Sequence, residues 1–279
     1  MPPAVPTITL NNGVTVPQLG FGVWQVPDDE AVPAVAATLE AGYRLIDTAA
    51  VYGNEVGVGK ALAASGVPRE ELFVTTKLWN ADQGFDSALR AFDASLGRLG
   101  LEYVDLYLIH WPVPAKDAYV DTWRAFERIY AEGRARAIGV SNFEPHHVER
   151  LLAETGVVPA VDQVELHPYL QQRRLREALA PHQVVAEAYS PLSSGGDVLT
   201  DPVIGAIARA HGRSPAQVVL RWHVEQGHLV IPKSVTPERI RANIDVFDIE
   251  LTEDELGQIA GLDRAGRVGA HPDTFNLGA

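Results

Sequence analysis

Short runs of apolar and β-branched residues recur along the chain, and between them the apolar positions fall at helical spacing. The runs predict strands over 18–22, 45–47, 72–77, 104–110, 135–140, 161–165, 184–189 and 229–231. The intervening segments predict helices over 30–41, 54–65, 85–99, 118–131, 145–154, 173–179, 202–210 and 215–226, with a further pair over 237–243 and 253–261 behind the last strand. Ser214-Pro215 and Thr236-Pro237 put a capping hydroxyl ahead of a proline at the first helical position, and Thr252 with Glu255 fits a capping box. Gly42, Gly66, Gly100, Gly133 and Gly212 fall where helices should stop. Eight such strand–helix units call for a parallel sheet with right-handed crossovers, and eight closes an α/β (β/α)8 TIM barrel. An open doubly wound sheet is the alternative, but no G-x-G-x-x-G follows the first strand.

Ahead of the first unit, residues 7–16 alternate around Asn12-Gly13, which predicts a type I′ hairpin covering the bottom of the barrel. No Ser/Gly-rich linker or charge block divides the chain, so one barrel domain is expected over 1–279, ending in an unpatterned tail over about 265–279. No segment approaches 18 consecutive apolar residues, and the N-terminus has neither a basic region nor an apolar stretch of secretory length. The expectation is a cytoplasmic protein with no membrane partner. A net charge of −13 disfavours nonspecific nucleic-acid binding, and the lack of cysteine removes disulfides and thiolate metal sites. Of 23 basic residues only Lys60, Lys77, Lys116 and Lys233 are lysines, so each invites the question of what an ammonium does there.

Barrel chemistry sits at the C-terminal strand ends, and three strands end on an ionisable group: Asp47, Lys77 and His110. Tyr52 lies on the loop after Asp47. An ammonium beside Asp47 would draw the pKa of a nearby phenol down. Each residue alone has an ordinary explanation: a helix cap for Asp47, a solvated edge for Lys77, structural packing for His110 and Tyr52. Four such residues converging on one barrel end argue for a site. Glu55 is expected to support the first turn of the next helix. Trp24, Trp79 and Trp111 are expected to wall the mouth.

The segments "GYRLIDTAAVYGNEVGVG", "TTKLW", "LIHWP", "GVSNF", "QVELHP", "AYSPL" and "IPKSVTPERIRANI" occur in order over about 7–262. Together they resemble the aldo-keto reductase superfamily, most closely its short prokaryotic 2,5-diketo-D-gluconate reductase branch. That resemblance implies NADPH-dependent reduction of aldehydes or ketones, without a metal, in a monomer acting on a small carbonyl substrate. It casts Tyr52 as general acid, Lys77 as the group that lowers its pKa, Asp47 as partner of Lys77, and His110 as the residue that orients the carbonyl oxygen. It assigns Ser141, Asn142 and Gln163, with Asp47 nearby, to the nicotinamide end and Tyr189 to stacking on its ring. Ser190, Leu192 and Ser193 fall to the pyrophosphate loop, Lys233, Ser234, Val235 and Arg239 to the adenosine 2′-phosphate, and Asn243 to the adenine. Trp24, Tyr52, Trp79, His110 and Trp111 would line the substrate pocket. The loop "SPLSSGGD" departs from the family's glycine-rich form, and the short 111–119 segment implies an open pocket over which the tail folds. Two other readings stand beside this one: a cofactor-binding, non-catalytic barrel like the potassium-channel β-subunits, and a barrel hydrolase using Asp47 and Glu165.

Overall fold

The computed structural model describes residues 5–279; residues 1–4 of the expected span lie outside the described residues. The chain opens with β1 (Thr7–Thr9) and β2 (Thr15–Pro17), paired antiparallel with Thr9 opposite Thr15. It continues through β3 (Phe21–Gly22), α1 (Asp28–Glu40), β4 (Leu45–Asp47), α2 (Glu55–Ala64), β5 (Phe73–Leu78), α3 (Phe85–Leu99), β6 (Val104–Ile109) and α4 (Tyr119–Ala131). Then follow β7 (Ala135–Ser141), α5 (Pro145–Glu154), β8 (Val161–Glu165), α6 (Arg173–Leu179), β9 (Val185–Tyr189), α7 (Pro202–His211), α8 (Pro215–Glu225) and β10 (Leu229–Val230). The expected extra helices are α9 (Pro237–Ile244) and α10 (Glu253–Ala260). Among the described residues no helix is long and apolar enough to cross a membrane.

Strands β3 to β10 form one parallel sheet in sequence order, and its edges meet. Leu19 bridges Val230, while the Gly20 N–H donates to the Val230 carbonyl at 2.8 Å and the Val230 N–H to the Gln18 carbonyl at 2.9 Å. These bonds close the (β/α)8 barrel. Pairing along β3 is shorter than the apolar run 18–22 suggests, because Gln18 and Leu19 serve the closure.

Strand alternation divides the core in two. Outward residues such as Ile46, Val74, Tyr107 and Ile138 pack under the helices. Inward residues Leu45, Phe73, Leu106, Leu108, Ala137, Val161 and Leu229 form a plug inside the barrel, capped by Leu10 and Val16 of the hairpin. Asn11 Nδ2 also ties the hairpin to the Pro159 carbonyl at 2.9 Å, and Asn12 Nδ2 to the Arg136 carbonyl at 3.0 Å. The hairpin therefore covers the bottom as expected, but its turn is not type I′. Of Asn12 and Gly13 only Gly13 takes a positive φ, +85°, and its N–H donates to the Leu10 carbonyl at 2.9 Å. That combination is a type I turn closed by a glycine bulge; Asn12 instead spends its side chain on Val14 N and Arg136 O.

The capping signals divide similarly. Ser214 and Thr252 both form reciprocal capping boxes, with Gln217 and Glu255. Thr236 precedes Pro237 as predicted, yet its hydroxyl makes no cap bond, and the Thr236 N–H donates to Ser234 Oγ at 3.1 Å.

Candidate active site

The inward column of each strand runs from apolar at the bottom to polar at the top. It places Asp47 above Leu45, Lys77 above Phe73 and Thr75, and His110 above Leu106 and Leu108. On the opposite wall Gln163 stands above Val161, and Glu187 above Val185. A dry plug thus supports a buried polar layer.

Lys77 Nζ donates to Asp47 Oδ1 at 2.6 Å and to the Thr48 carbonyl at 3.0 Å. Burial alone would lower the Lys77 ammonium, but the Asp47 carboxylate and the Tyr52 phenol hold it above the usual lysine range. Burial pushes the Asp47 carboxyl up, against the pull of Lys77 and of Gln163, whose Nε2 donates to Asp47 Oδ2 at 2.8 Å. With a donor on each oxygen, the charged form of Asp47 is the one this geometry serves.

Tyr52 ends a short 3-10 turn, Ala50–Tyr52, that reverses the chain after Thr48. Gly53 at φ +69° continues the reversal. Asn54 then fastens the loop, donating to the Val23 and Val26 carbonyls at 2.9 Å each and accepting from Thr48 Oγ1 at 2.7 Å. In consequence Lys77 Nζ lies 5.2 Å from the centre of the Tyr52 ring, and the Tyr52 and His110 rings meet edge-on at 5.7 Å. The four residues are brought together. The expectation of a lowered Tyr52 needs correcting, however: burial raises its phenol above the ordinary range, and the opposing pull of Lys77 does not offset it. His110 is driven the other way, first by burial and then by the Lys77 charge, well below the usual range. Its ring is neutral, and its Nδ1 is buried without a partner among the described residues.

The residues assigned to the nicotinamide end form one chain of bonds. Ser141 Oγ donates to the Gln163 carbonyl at 2.7 Å, and Asn142 Nδ2 donates to the His110 carbonyl at 3.0 Å. The Tyr189 hydroxyl donates to Asn142 Oδ1 at 2.8 Å, with Asn142 at φ +61° turning its amide back across the strand ends. Beyond Tyr189, Ser190, Ser193 and Ser194 all take positive φ, between 46° and 54°, so serines here occupy backbone conformations that glycine would adopt without strain. Ser193 is buried and Leu192 packs on the core.

Farther out, Lys233, Val235 and Arg239 are exposed, while Ser234 and Asn243 are buried beneath them. Neither Lys233 nor Arg239 makes a salt bridge among the described residues. Trp79 meets His110 edge-on at 5.5 Å, and Trp111 lies 4.2 Å from Phe275 of the tail. Trp24 is 50% exposed and makes no ring contact among the described residues, so it stands at the rim without closing the wall.

Glu55 is absent from the mouth. It faces outward, accepting from Thr76 Oγ1 at 2.6 Å and from Arg98 Nε at 2.7 Å, and so stitches α2 to β5 and α3 beyond its expected service to the helix start. Glu165 is likewise occupied: Oε1 accepts from Val268 N at 2.6 Å, Oε2 from Gly269 N at 2.7 Å, and His167 Nε2 lies 2.9 Å from Oε1. Burial would raise this carboxyl, but the His167 bond and the two amides hold it below the usual range. It clamps the tail across the mouth. Farther along, Asn80 Nδ2 donates to the Leu277 carbonyl at 2.8 Å and the Ala115 N–H to Asn276 Oδ1 at 3.0 Å. The tail thereby roofs the short 111–119 segment.

One residue at the centre was not singled out from the sequence. Glu187 is fully buried, and its Oε2 accepts from the same Gln163 Nε2 at 3.1 Å. Burial, then the Asp47 charge, pushes it up to about 8. Its signal was its phase: in "VAEAY" it shares the inward face with Tyr189, two positions on.

Among the described residues, His146, His147 and Asp273 bring possible metal-ligand atoms within 4.8 Å of one another. Burial lowers His147 to about 4, so its ring is neutral, and its Nδ1 accepts the Glu144 N–H at 3.1 Å. The ring's one proton therefore sits on Nε2, the atom facing Asp273, and that atom offers no lone pair.

The sequence profile of the aldo/keto reductase family matches residues 18–264. An aldo-keto reductase of Mycolicibacterium smegmatis is 57% identical over 272 residues, covering 98% of each chain. Methylglyoxal reductase DkgA of Escherichia coli is 52% identical over 269 residues, covering 96% of this chain and 97% of that protein. Among solved structures, a point mutant of Gox0644 in complex with NADPH superposes with a TM-score of 0.94 at 49% identity, covering 98% of this chain and 99% of that one. A closed barrel, a polar layer at its C-terminal end and likeness along nearly the whole chain agree: this protein belongs to the aldo/keto reductase family.

Proposed function

We propose that the protein reduces small aldehydes and ketones to alcohols with NADPH, using Tyr52, Lys77, Asp47 and His110 at the barrel mouth. The observation that carries this reading is the buried Asp47–Lys77 pair beneath Tyr52 and beside a neutral His110. The site's donors also suit a nicotinamide nucleotide. Gln163 Nε2 donates to the Asp47 carboxylate and to the Glu187 carboxyl, which leaves its Oε1 to accept from a carboxamide NH2. Lys233 and Arg239 have no ion-pair partner among the described residues and lie at the N-terminus of α9, whose first turn has no side-chain cap, a setting that suits a phosphate.

When bound, NADPH supplies a hydride with its electron pair to the carbonyl carbon. Negative charge then gathers on the carbonyl oxygen, and the chain's task is to receive it. His110, uncharged, donates a hydrogen bond to that oxygen and fixes its direction. Tyr52 gives its phenolic proton to the same oxygen, completing the alcohol. The phenolate left behind is held by the Lys77 ammonium until solvent returns a proton. Lys77 remains charged throughout because Asp47 pairs with it in the dry interior. Burial makes the resting phenol a reluctant acid, so proton release is favoured only once charge has built up on the substrate. Trp79 and Trp111 give the substrate an apolar wall, and the tail limits how much water reaches it.

Small dicarbonyls of the methylglyoxal type are the first substrates to try, given the likeness to DkgA. The test is NADPH oxidation followed at its absorbance over methylglyoxal, aromatic aldehydes, keto-sugars and β-keto esters. Turnover of one or more is the expected result. NADPH binding without turnover of any would favour the channel β-subunit reading. The hydrolase reading is disfavoured because Glu165, its second acid, is bound to the tail.

A further inference from the structure

We infer that Glu187 is a positioning residue for the nicotinamide end of the site: it and Asp47 together take both Nε2 hydrogens of Gln163 and so fix which way that amide faces. The inference rests on the cofactor reading above. It stands on three features of the barrel wall. Glu187 lies directly opposite Gln163 in the register of β8 and β9. A single nitrogen, Gln163 Nε2, reaches Asp47 Oδ2 at 2.8 Å and Glu187 Oε2 at 3.1 Å. The second carboxyl oxygen, Glu187 Oε1, is buried with no partner of its own among the described residues.

A primary amide can rotate by a half turn and exchange its oxygen for its nitrogen with little change in shape. With one acceptor below it, Gln163 could satisfy Asp47 through either hydrogen and still swing. Two acceptors, one on each side, leave only the orientation in which Oε1 faces the mouth. A carboxamide NH2 arriving there meets an acceptor already in place, and the ordering is done before binding.

A carboxyl in that position also reports on its own charge. Its neighbours are Asp47 on β4, Lys77 on β5, Tyr52 on the loop above and Gln163 on β8, while β10 presents the apolar Leu229 opposite it. Below about pH 8 Glu187 carries a proton and the layer holds one negative charge, that of Asp47, against one positive charge, that of Lys77. Above it, a second negative charge appears close to where the carbonyl oxygen must gain charge, so reduction slows.

The experiment compares Glu187→Gln and Glu187→Leu in the full-length protein. Dissociation constants for NADPH and NADH are read from tryptophan fluorescence, and kcat/KM for carbonyl reduction is followed from pH 6 to pH 9.5. Glu187→Leu should weaken NADPH and NADH by the same factor, up to about tenfold for one lost neutral hydrogen bond that ordered the amide before binding, because both carry the same carboxamide. Glu187→Gln retains an oxygen acceptor and should restore both affinities to within about twofold of the parent. The same variant should lose the fall in kcat/KM near pH 8, because it has no proton to give up. Parent-like affinities and pH profiles in both variants would overturn the assignment. So would equal loss in both, since a simple packing role predicts no rescue by the amide. Failure of the cofactor reading itself looks different: the unaltered protein would then bind neither nucleotide.

Discussion

The buried layer around Asp47 and the exposed rim around Lys233 both gather polar groups, but they hold them in opposite ways. At the centre the polar groups are partnered along and across the barrel wall: Lys77 with Asp47 on the next strand, Asp47 with Gln163 on the opposite wall, and Gln163 with Glu187 on the strand beside it. The strands that carry them are tied by parallel pairing, so the geometry exists before any ligand arrives. At the rim, Lys233 and Arg239 project from a loop and an exposed helix face with no counter-charge among the described residues. On the proposed reading, chemistry that must be right to a fraction of an ångström is built into the wall, while the grip on a distant phosphate falls to two exposed side chains without a counter-charge among the described residues.

The contrast can be broken at three places. The largest effect is expected at Tyr52: Tyr52→Phe removes the proton and little else, so kcat should fall by about 10³-fold or more while NADPH affinity stays within about twofold. Single-turnover reduction with fluorescence titration separates the two quantities, and substantial turnover in the variant would end the general-acid role. Next comes Lys77→Met, which leaves the Asp47 charge buried without its partner. It should cost about 3–5 kcal/mol of stability in addition to activity, measured by urea unfolding. Loss of activity with unchanged stability would mean that the ion pair does not hold the layer together. The smallest effect belongs to the rim. Arg239→Ala and Lys233→Ala should each weaken NADPH by about 10-fold, leave NADH unaffected, and leave the melting temperature unchanged, since neither group is buried. An equal loss for the two nucleotides would remove both residues from the 2′-phosphate.

The same contrast governs what could be read from the sequence. Asp47, Lys77 and His110 were legible because each ends an apolar run, and strand alternation then fixes its direction. Tyr52 followed from the length of the loop that returns it. Glu187 was not legible as a site residue because it sits inside the run "VAEAY", where flanking alanines and valine mark a strand but give no sign of what faces the acid. Its partner Gln163 is remote in sequence, and only the β8–β9 register joins them. The direction of the Tyr52 shift failed for a related reason: the cation was visible in the sequence, whereas the depth of burial that outweighs it was not. At the hairpin, Asn12-Gly13 announced the turn correctly, but not its type: Gly13 alone takes a positive φ, and Asn12 reaches across to Arg136, a partner remote in sequence.

The clamp at Glu165 has a consequence for how such a pocket could be altered. It grips Val268 and Gly269 by main-chain amides, and Asn80 holds Leu277 by its carbonyl. These anchors do not recognise side chains. The tail is accordingly a strap held in large part by its main chain, and exposed residues such as Val268, Ala270 and Thr274 can be randomised while the strap still crosses the mouth at the same place, provided that Phe275 against Trp111 and the Asn276 side chain on Ala115 are kept. Gly269 must be kept as well, because a Cβ there would stand 2.9 Å from Glu165 Oε2. A library that spares these three positions samples new pocket roofs over an unchanged buried layer, so new substrates can be sought without rebuilding the catalyst.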